Sequence, residues 1–272
     1  MDEPRFSIDQ DWLVRIRREL HAHPEIGWEL ENTVRVVRRE LDAGKVILPP
    51  AKNPSGIPHT EKIAVIGAGP AGIFTALELI RKGYKGHITL VEKGQSVEKR
   101  HCPKAETGRC MDCKPYCHIT TGFSGAGAFS DGKLSLSYEV GGDLPTLVGE
   151  KLAQETIDYA DSIYLEFGAD THIEGISDPD KVKDIRRRAI QAGLKLVDCP
   201  IRHMGTEKAQ GIYLAIERYL AANGVELIFG WECLDLRLKD ETCLGGVISN
   251  GREEREIEAG RTIVATGRRG AD

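Results

Sequence analysis

The sequence has no stretch approaching the roughly 18 to 20 consecutive apolar residues that a bilayer-spanning helix needs. Its first residues do not join a basic segment to a hydrophobic one, as a secretory leader would. The expected location is therefore the cytoplasm, with no membrane partner. Charge of one sign is not concentrated anywhere either. The 37 Lys and Arg and 42 Asp and Glu residues are interspersed and give a net charge of −5, so no sustained cationic surface points to nucleic acid. A small anionic ligand stays open. There is no internal repeat and no low-complexity tract. The seven cysteines are an odd number without a leader, which argues against a disulfide framework.

What is present is 272 residues with 40% hydrophobic content, enough for a real core in one large or two modest domains. Residues 11 to 43 carry Trp12, Leu13, Ile16, Leu20, Val34, Val37 and Leu41 at helical spacing, interrupted at His23-Pro24, which predicts two helices with a turn between them. Residues 44 to 61 are rich in proline, glycine and lysine and read as a linker, placing a domain boundary near residue 60. Beyond it, a short apolar run from Lys62 to Ile66 predicts a buried strand, Ile73 to Ile80 a helix ending at Gly83, and His87 to Val91 a second strand. Residues 94 to 145 show little periodicity and predict long loops shaped around something. Helical patterns return at 146 to 168, 179 to 193 and 205 to 223, the last stopped by Gly224. Strands are expected at 225 to 229, 233 to 239, 243 to 249, 254 to 259 and 261 to 265, the first four forming an antiparallel meander.

Between the first strand and the first helix stands Gly67-Ala68-Gly69-Pro70-Ala71-Gly72. In such a turn Gly67 allows the tight bend, Gly69 lets the backbone approach a pyrophosphate, and Gly72 permits close packing of helix on strand. The phosphates would sit at the positive end of the helix. Glu92 closes the second strand, where its carboxylate can accept hydrogen bonds from both ribose hydroxyls and disfavours the extra phosphate of NADP. The fingerprint serves NAD and FAD alike and does not choose between them.

Four cysteines, Cys102, Cys110, Cys113 and Cys117, form C-x7-C-x2-C-x3-C beside His118. Closely spaced thiolates suit a zinc ion or an iron-sulfur cluster, although the spacing is not the bacterial ferredoxin run. Cys110 and Cys113 alone would form a dithiol able to exchange electrons with a flavin, and incidental thiols are the bland alternative.

The segment Lys62 to Glu92, the stretch Thr121-Gly122-Phe123-Ser124-Gly125-Ala126-Gly127-Ala128-Phe129-Ser130-Asp131-Gly132-Lys133, the element Arg202-His203-Met204-Gly205-Thr206 and the strand end Ile263-Val264-Ala265-Thr266-Gly267 carry a resemblance. Together they resemble the FAD-dependent dehydrogenases of the glutathione-reductase-type flavoprotein fold, in a bacterial and archaeal branch of NAD(P)/FAD-dependent oxidoreductases. The likeness covers about residues 61 to 272. It implies a Rossmann-like α/β FAD-binding domain with a helical and antiparallel insertion covering the flavin. It also implies hydride transfer through FAD, with NAD(P)H as a candidate electron donor and a small-molecule substrate or redox partner. The oligomeric state is left open. By this resemblance Gly125, Gly127 and Ser130 would approach the cofactor, Lys133 would place a cation near the ring or substrate, and His203 would be an acid/base group. The candidate cofactor set is Gly67, Gly69, Pro70, Ala71, Gly72, Glu92, Lys93, Arg100, Gly125, Gly127, Ser130, Thr266 and Gly267. In this fold a Gly-Asp element normally follows the Ala-Thr-Gly strand, and the sequence stops before one. The expectation is a C-terminally truncated FAD domain, with a non-catalytic nucleotide-binding fragment as the alternative.

Residues Arg17 to Thr33, containing His21-Ala22-His23-Pro24-Glu25-Ile26-Gly27-Trp28, resemble the opening helices of zinc amidohydrolases of the aminoacylase and carboxypeptidase superfamily, over about residues 11 to 42. None of that family's downstream metal ligands follows. Residues 1 to 43 are therefore expected to be a non-catalytic helical appendage, and a zinc-dependent hydrolase is the least favoured function.

Overall fold

The computed structural model describes residues 61–239 and 242–267, so the expected helices of residues 1 to 43 and the linker lie outside the described residues. Strand β1 (Ile63–Ile66) is a four-residue apolar run buried at every position. Burial on both faces is what a central parallel strand requires. It is flanked by β2 (Ile88–Glu92) on one side and β9 (Arg261–Val264) on the other, and β2 pairs in turn with β5 (Val225–Phe229), all in parallel register. Residues 225 to 229, expected in the antiparallel meander, thus form an edge of the parallel sheet, because they follow a helix that returns the chain in the direction of β2.

Helix α1 (Pro70–Arg81) starts with proline, whose missing N–H costs nothing in the first turn, and buries Ile73, Ala76 and Leu77 at i, i+3 and i+4. Gly83, at φ +76°, ends it in the left-handed conformation. Three longer helices follow among the described residues, α2 (Glu150–Glu166), α3 (Pro179–Gln191) and α4 (Thr206–Ala222), with short helical turns at Lys104–Thr107 and Leu144–Val148. A two-stranded ribbon pairs β3 (Lys133–Ser135) with β4 (Ile201–His203), and β6 (Glu232–Lys239), β7 (Thr242–Ser249) and β8 (Glu254–Glu258) form the antiparallel meander.

The alternation along the parallel strands assigns the layers. Ile63, Val65, Ile88 and Leu90 point into a core with Ile73 and Leu77 of α1, Ile163 and Tyr164 of α2, and Ile216 and Leu220 of α4. Ala64, Ile66, Val91 and Ile228 point the opposite way, against Ile248 and Ile257 of the meander. With a period of two, adjacent residues of a strand face opposite layers, so the sheet has helices on one face and the meander on the other. The meander, expected to lie over a flavin, packs against the second face of the sheet through Ile248 and Ile257. No helix among the described residues is long and apolar enough to cross a membrane.

Candidate dinucleotide site

The carboxyl ends of β1, β2, β9 and β5 open on a cavity of about 820 Å³. In open α/β sheets such a crevice is where ligands bind. Its floor is the glycine turn. A side chain at Gly72 would place Cβ 1.9 Å from the carbonyl oxygen of Gly67, and one at Gly67, itself at φ +103°, would come 2.5 Å from the carbonyl of Ala265. Both glycines are therefore demanded by helix-to-strand and strand-to-strand packing. Gly69 differs: a Cβ there would meet nothing within 4 Å. The space in front of Gly69 is open, the helix it caps has no side-chain cap, and the first turn holds no acidic residue. Among the described residues no side chain caps the positive end of α1, which is exposed to the cavity through Gly69, Pro70 and Ala71.

Glu92 reaches the same cavity from the end of β2. It is buried, and its two oxygens accept hydrogen bonds from the amides of Ala68 (2.9 Å) and Gly94 (2.8 Å). These bonds fix the carboxylate against the glycine turn while leaving lone pairs for further donors. Lys93 lines the rim, where it forms an ion pair with Glu232 (3.3 Å) and lies 5.0 Å from the centre of the Tyr116 ring. On the opposite wall stand Thr266 and Gly267 after β9, and Gly125 from the glycine-rich loop.

Three expected contacts have other work. Arg100 is buried, and its guanidinium donates to the carbonyls of His118 (2.8 Å), Phe123 (2.6 Å) and Gly125 (2.7 Å), and also to that of Ile119. Burial pushes its pKa down to about 10, against the opposing pull of Glu92 and Cys117. It remains a cation at neutral pH, clamping the loop that forms one wall of the cavity. Gly127 lies behind that wall, where a Cβ would come 2.8 Å from the hydroxyl of Tyr213. Ser130 is exposed and engages its own turn, donating to the Gly127 carbonyl (3.0 Å) and accepting from the amide of Gly132 (3.2 Å).

Lys133 and His203 are brought together. They are directly opposed in the β3–β4 ribbon, and Lys133 is paired with Asp131 at 2.7 Å. The Lys133 ammonium holds the Asp131 carboxyl below its usual range, with His203 acting in the same direction. All three are exposed and lie off the cavity lining. The next residue back along β4, Arg202, is buried and forms a two-pronged pair with Asp161 of α2, which anchors the ribbon.

The metal reading of Cys102, Cys110, Cys113 and Cys117 is not supported. None of the four is in a disulfide, Cys110 is exposed, and no group of three or more His, Cys, Asp or Glu among the described residues is arranged to hold a metal. The segment is held at one end by Arg100 and at another point by the Tyr116 hydroxyl, which donates to Glu232 (2.8 Å) at β6. Sequence reasoning missed Thr120, Trp231, Glu232 and Cys233, which also line the cavity. Their signal is topological: β5 is the neighbour of β2 in the sheet, so whatever follows Phe229 adjoins Glu92, and the Trp231 amide indeed donates to the Glu92 carbonyl (3.3 Å).

A parallel sheet, a glycine turn onto an open helix N-terminus and a buried acid at the next strand end define a dinucleotide-binding α/β protein. Residues 61–272 match the pyridine nucleotide-disulphide oxidoreductase family, and the chain belongs to it. It is 44% identical over 71 residues to an uncharacterized protein of Clostridium beijerinckii, a match covering 26% of this chain and 13% of that protein. A second match, 41% over 61 residues, is to IAA-amino acid hydrolase ILR1-like 5 of Arabidopsis thaliana and covers 22% of this chain and 13% of the hydrolase. Among solved structures, the L-amino acid deaminase from Proteus vulgaris is similar with a TM-score of 0.43 at 16% identity, over 78% of this chain and 48% of the deaminase. The matches thus span about an eighth of the curated relatives and about half of the deaminase.

Proposed function

We propose that this chain forms the FAD-binding part of a cytoplasmic oxidoreductase acting on a small-molecule substrate. The observation that carries the proposal is the cavity at the sheet's carboxyl edge, with open space at Gly69, the uncapped N-terminus of α1 and the buried Glu92 all facing it. These residues fit a dinucleotide. Gly69 and the first amides of α1 would hold the pyrophosphate, Glu92 the ribose hydroxyls, and Gly125, Thr266 and Gly267 would flank the remainder. Bound FAD supplies hydride transfer at its ring. The protein's own contribution is to fix the pyrophosphate in a helix dipole, hold the ribose with a preset carboxylate and wall the site with a loop clamped by Arg100.

In this reading His203 and Lys133 handle protons or orient substrate at the end of the ribbon that continues from the Gly125 wall. Family membership and the extent of the cavity on both sides of β1 favour FAD over NAD as the resident nucleotide, with NAD(P)H as the reductant to try. Calorimetric titration with FAD, NAD and ADP tests the choice. FAD is expected to bind most tightly, with ADP reporting the shared half; tighter binding of NAD would overturn the assignment.

A further inference from the structure

A second cavity, of about 410 Å³, lies beside the dinucleotide site and shares Lys93, Thr121 and Glu232 with it. The partition between the two is built. Glu232 holds Lys93 with one oxygen (3.3 Å) and accepts the Tyr116 hydroxyl with the other (2.8 Å), which fixes the Tyr116 ring as a wall of the second cavity. Burial and the bond to Glu232 push that phenol's pKa up to about 12, so it stays a neutral donor across the physiological range.

The lining has two characters. Pro115, Tyr116 and Leu234 supply apolar surface, while Lys93, Lys99 and Arg100 outweigh the single carboxylate, Glu232. Lys93 is committed to Glu232, and Arg100 spends most of its donors on loop carbonyls, yet both charges remain. Lys99, at the end of the 3-10 turn Val97–Lys99, forms no ion pair among the described residues. Thr121 lines the cavity beside them, as do Ser249 and Asn250 of the β7–β8 turn, whose side chains are engaged in the turn itself: Ser249 donates to the Glu253 carbonyl (3.1 Å) and Asn250 accepts from the amides of Arg252 (2.9 Å) and Glu253 (3.0 Å). An apolar cleft with excess positive charge and a few hydrogen-bonding groups selects a compact organic anion with a flat apolar body.

We propose that this second cavity is a binding site for a small aromatic carboxylate or comparable organic anion, separate from the dinucleotide. It is independent of which nucleotide occupies the larger cavity. Because Lys93 and Glu232 belong to both linings, an occupant here would lie one ion pair away from the nucleotide.

Benzoate is the probe, followed by saturation-transfer NMR and titration on the whole chain, with and without saturating FAD. Lys99→Glu reverses the unpaired cation, Leu234→Asp places negative charge on the apolar wall, and Lys195→Glu, exposed and away from the cavity, is the control. All three positions are exposed, and folding of each variant is verified by circular dichroism before binding is compared. Benzoate binding that persists in FAD and weakens at least about fivefold in Lys99→Glu and Leu234→Asp, but not in Lys195→Glu, supports the site. Absence of benzoate binding, equal weakening in all three variants, or complete displacement by FAD overturns it. The last outcome would make the cavity an extension of the nucleotide site. Failure of FAD to bind, with benzoate behaving as expected, would sink the flavin reading and leave this one standing.

Discussion

Replacing Glu92 with glutamine changes one oxygen into an amide and should separate two consequences. In the native protein one carboxylate oxygen accepts from Ala68 N–H at 2.9 Å and the other from Gly94 N–H at 2.8 Å, in a buried setting. In Glu92→Gln one of these amides faces an NH2 group and loses its acceptor, while the other keeps a neutral acceptor in place of a charged one. An unsatisfied buried donor costs about 1 to 3 kcal/mol, and the weaker surviving bond about 1 kcal/mol more, giving roughly 2 to 4 kcal/mol in total. For a domain of this size that lowers Tm by roughly 4 to 16 °C. The ribose loses a charged acceptor as well, which weakens FAD by roughly 10- to 100-fold. The assays are thermal circular dichroism and FAD titration followed by the fluorescence of Trp231, which lines the cavity. Glu226→Gln makes the same charge change on β5, where the carboxylate contacts Thr89 (2.9 Å) and His87 (3.0 Å) off the cavity, and should leave FAD affinity unchanged. A Glu92→Gln protein with native Tm and native affinity would refute the reasoning.

Gly72→Ala forces a methyl to 1.9 Å from the Gly67 carbonyl, so α1 must move off β1; a loss of about 3 kcal/mol or more is expected in urea unfolding. Arg100→Met strips the donors from four loop carbonyls, and limited proteolysis should then cut within residues 118 to 125 while FAD affinity falls. Glu217 is held above the ordinary value of 4.5 chiefly by burial, while its bond from the Val97 amide pulls the other way. Its protonated form is therefore favoured more in the folded than in the unfolded chain, and the stability it contributes is present below about pH 4.5 and lost as pH rises through the raised folded value. Glu217→Gln, neutral at every pH and still an acceptor, should melt higher than the native protein at pH 7, with the gap narrowing as pH falls through the raised folded value and closed below about 4.5. Elemental analysis of the purified protein should find neither zinc nor iron at one equivalent.

The strands and helices were legible because each obeys its period, with buried apolar runs at Ile63–Ile66 and Ile88–Glu92 and Ile73, Ala76 and Leu77 on one face of α1. The sheet that 225 to 229 joins was not, since a strand's pattern does not name its partner. The glycine turn was legible because Gly67 and Gly72 are steric necessities, as their close approaches show. The layer taken by the meander was not legible, since strand periodicity says which residues are buried without saying against what. Arg100 looked like a cofactor contact because a cation near a phosphate site suggests one. Its partners are backbone carbonyls, which carry no signature in the sequence. The cysteine spacing suggested metal for a similar reason: spacing along the chain limits which thiols can meet but does not make them meet. Trp231 and Glu232 reach the site only through the order β5-β2-β1-β9, a fact of topology and not of local pattern.

The most direct test of the central claim is equilibrium dialysis of the purified chain against FAD, with the bound flavin read from its visible absorption. The account predicts one flavin per chain, lost when excess ADP competes for the glycine turn and Glu92. A chain that retains no flavin at saturating FAD would contradict it.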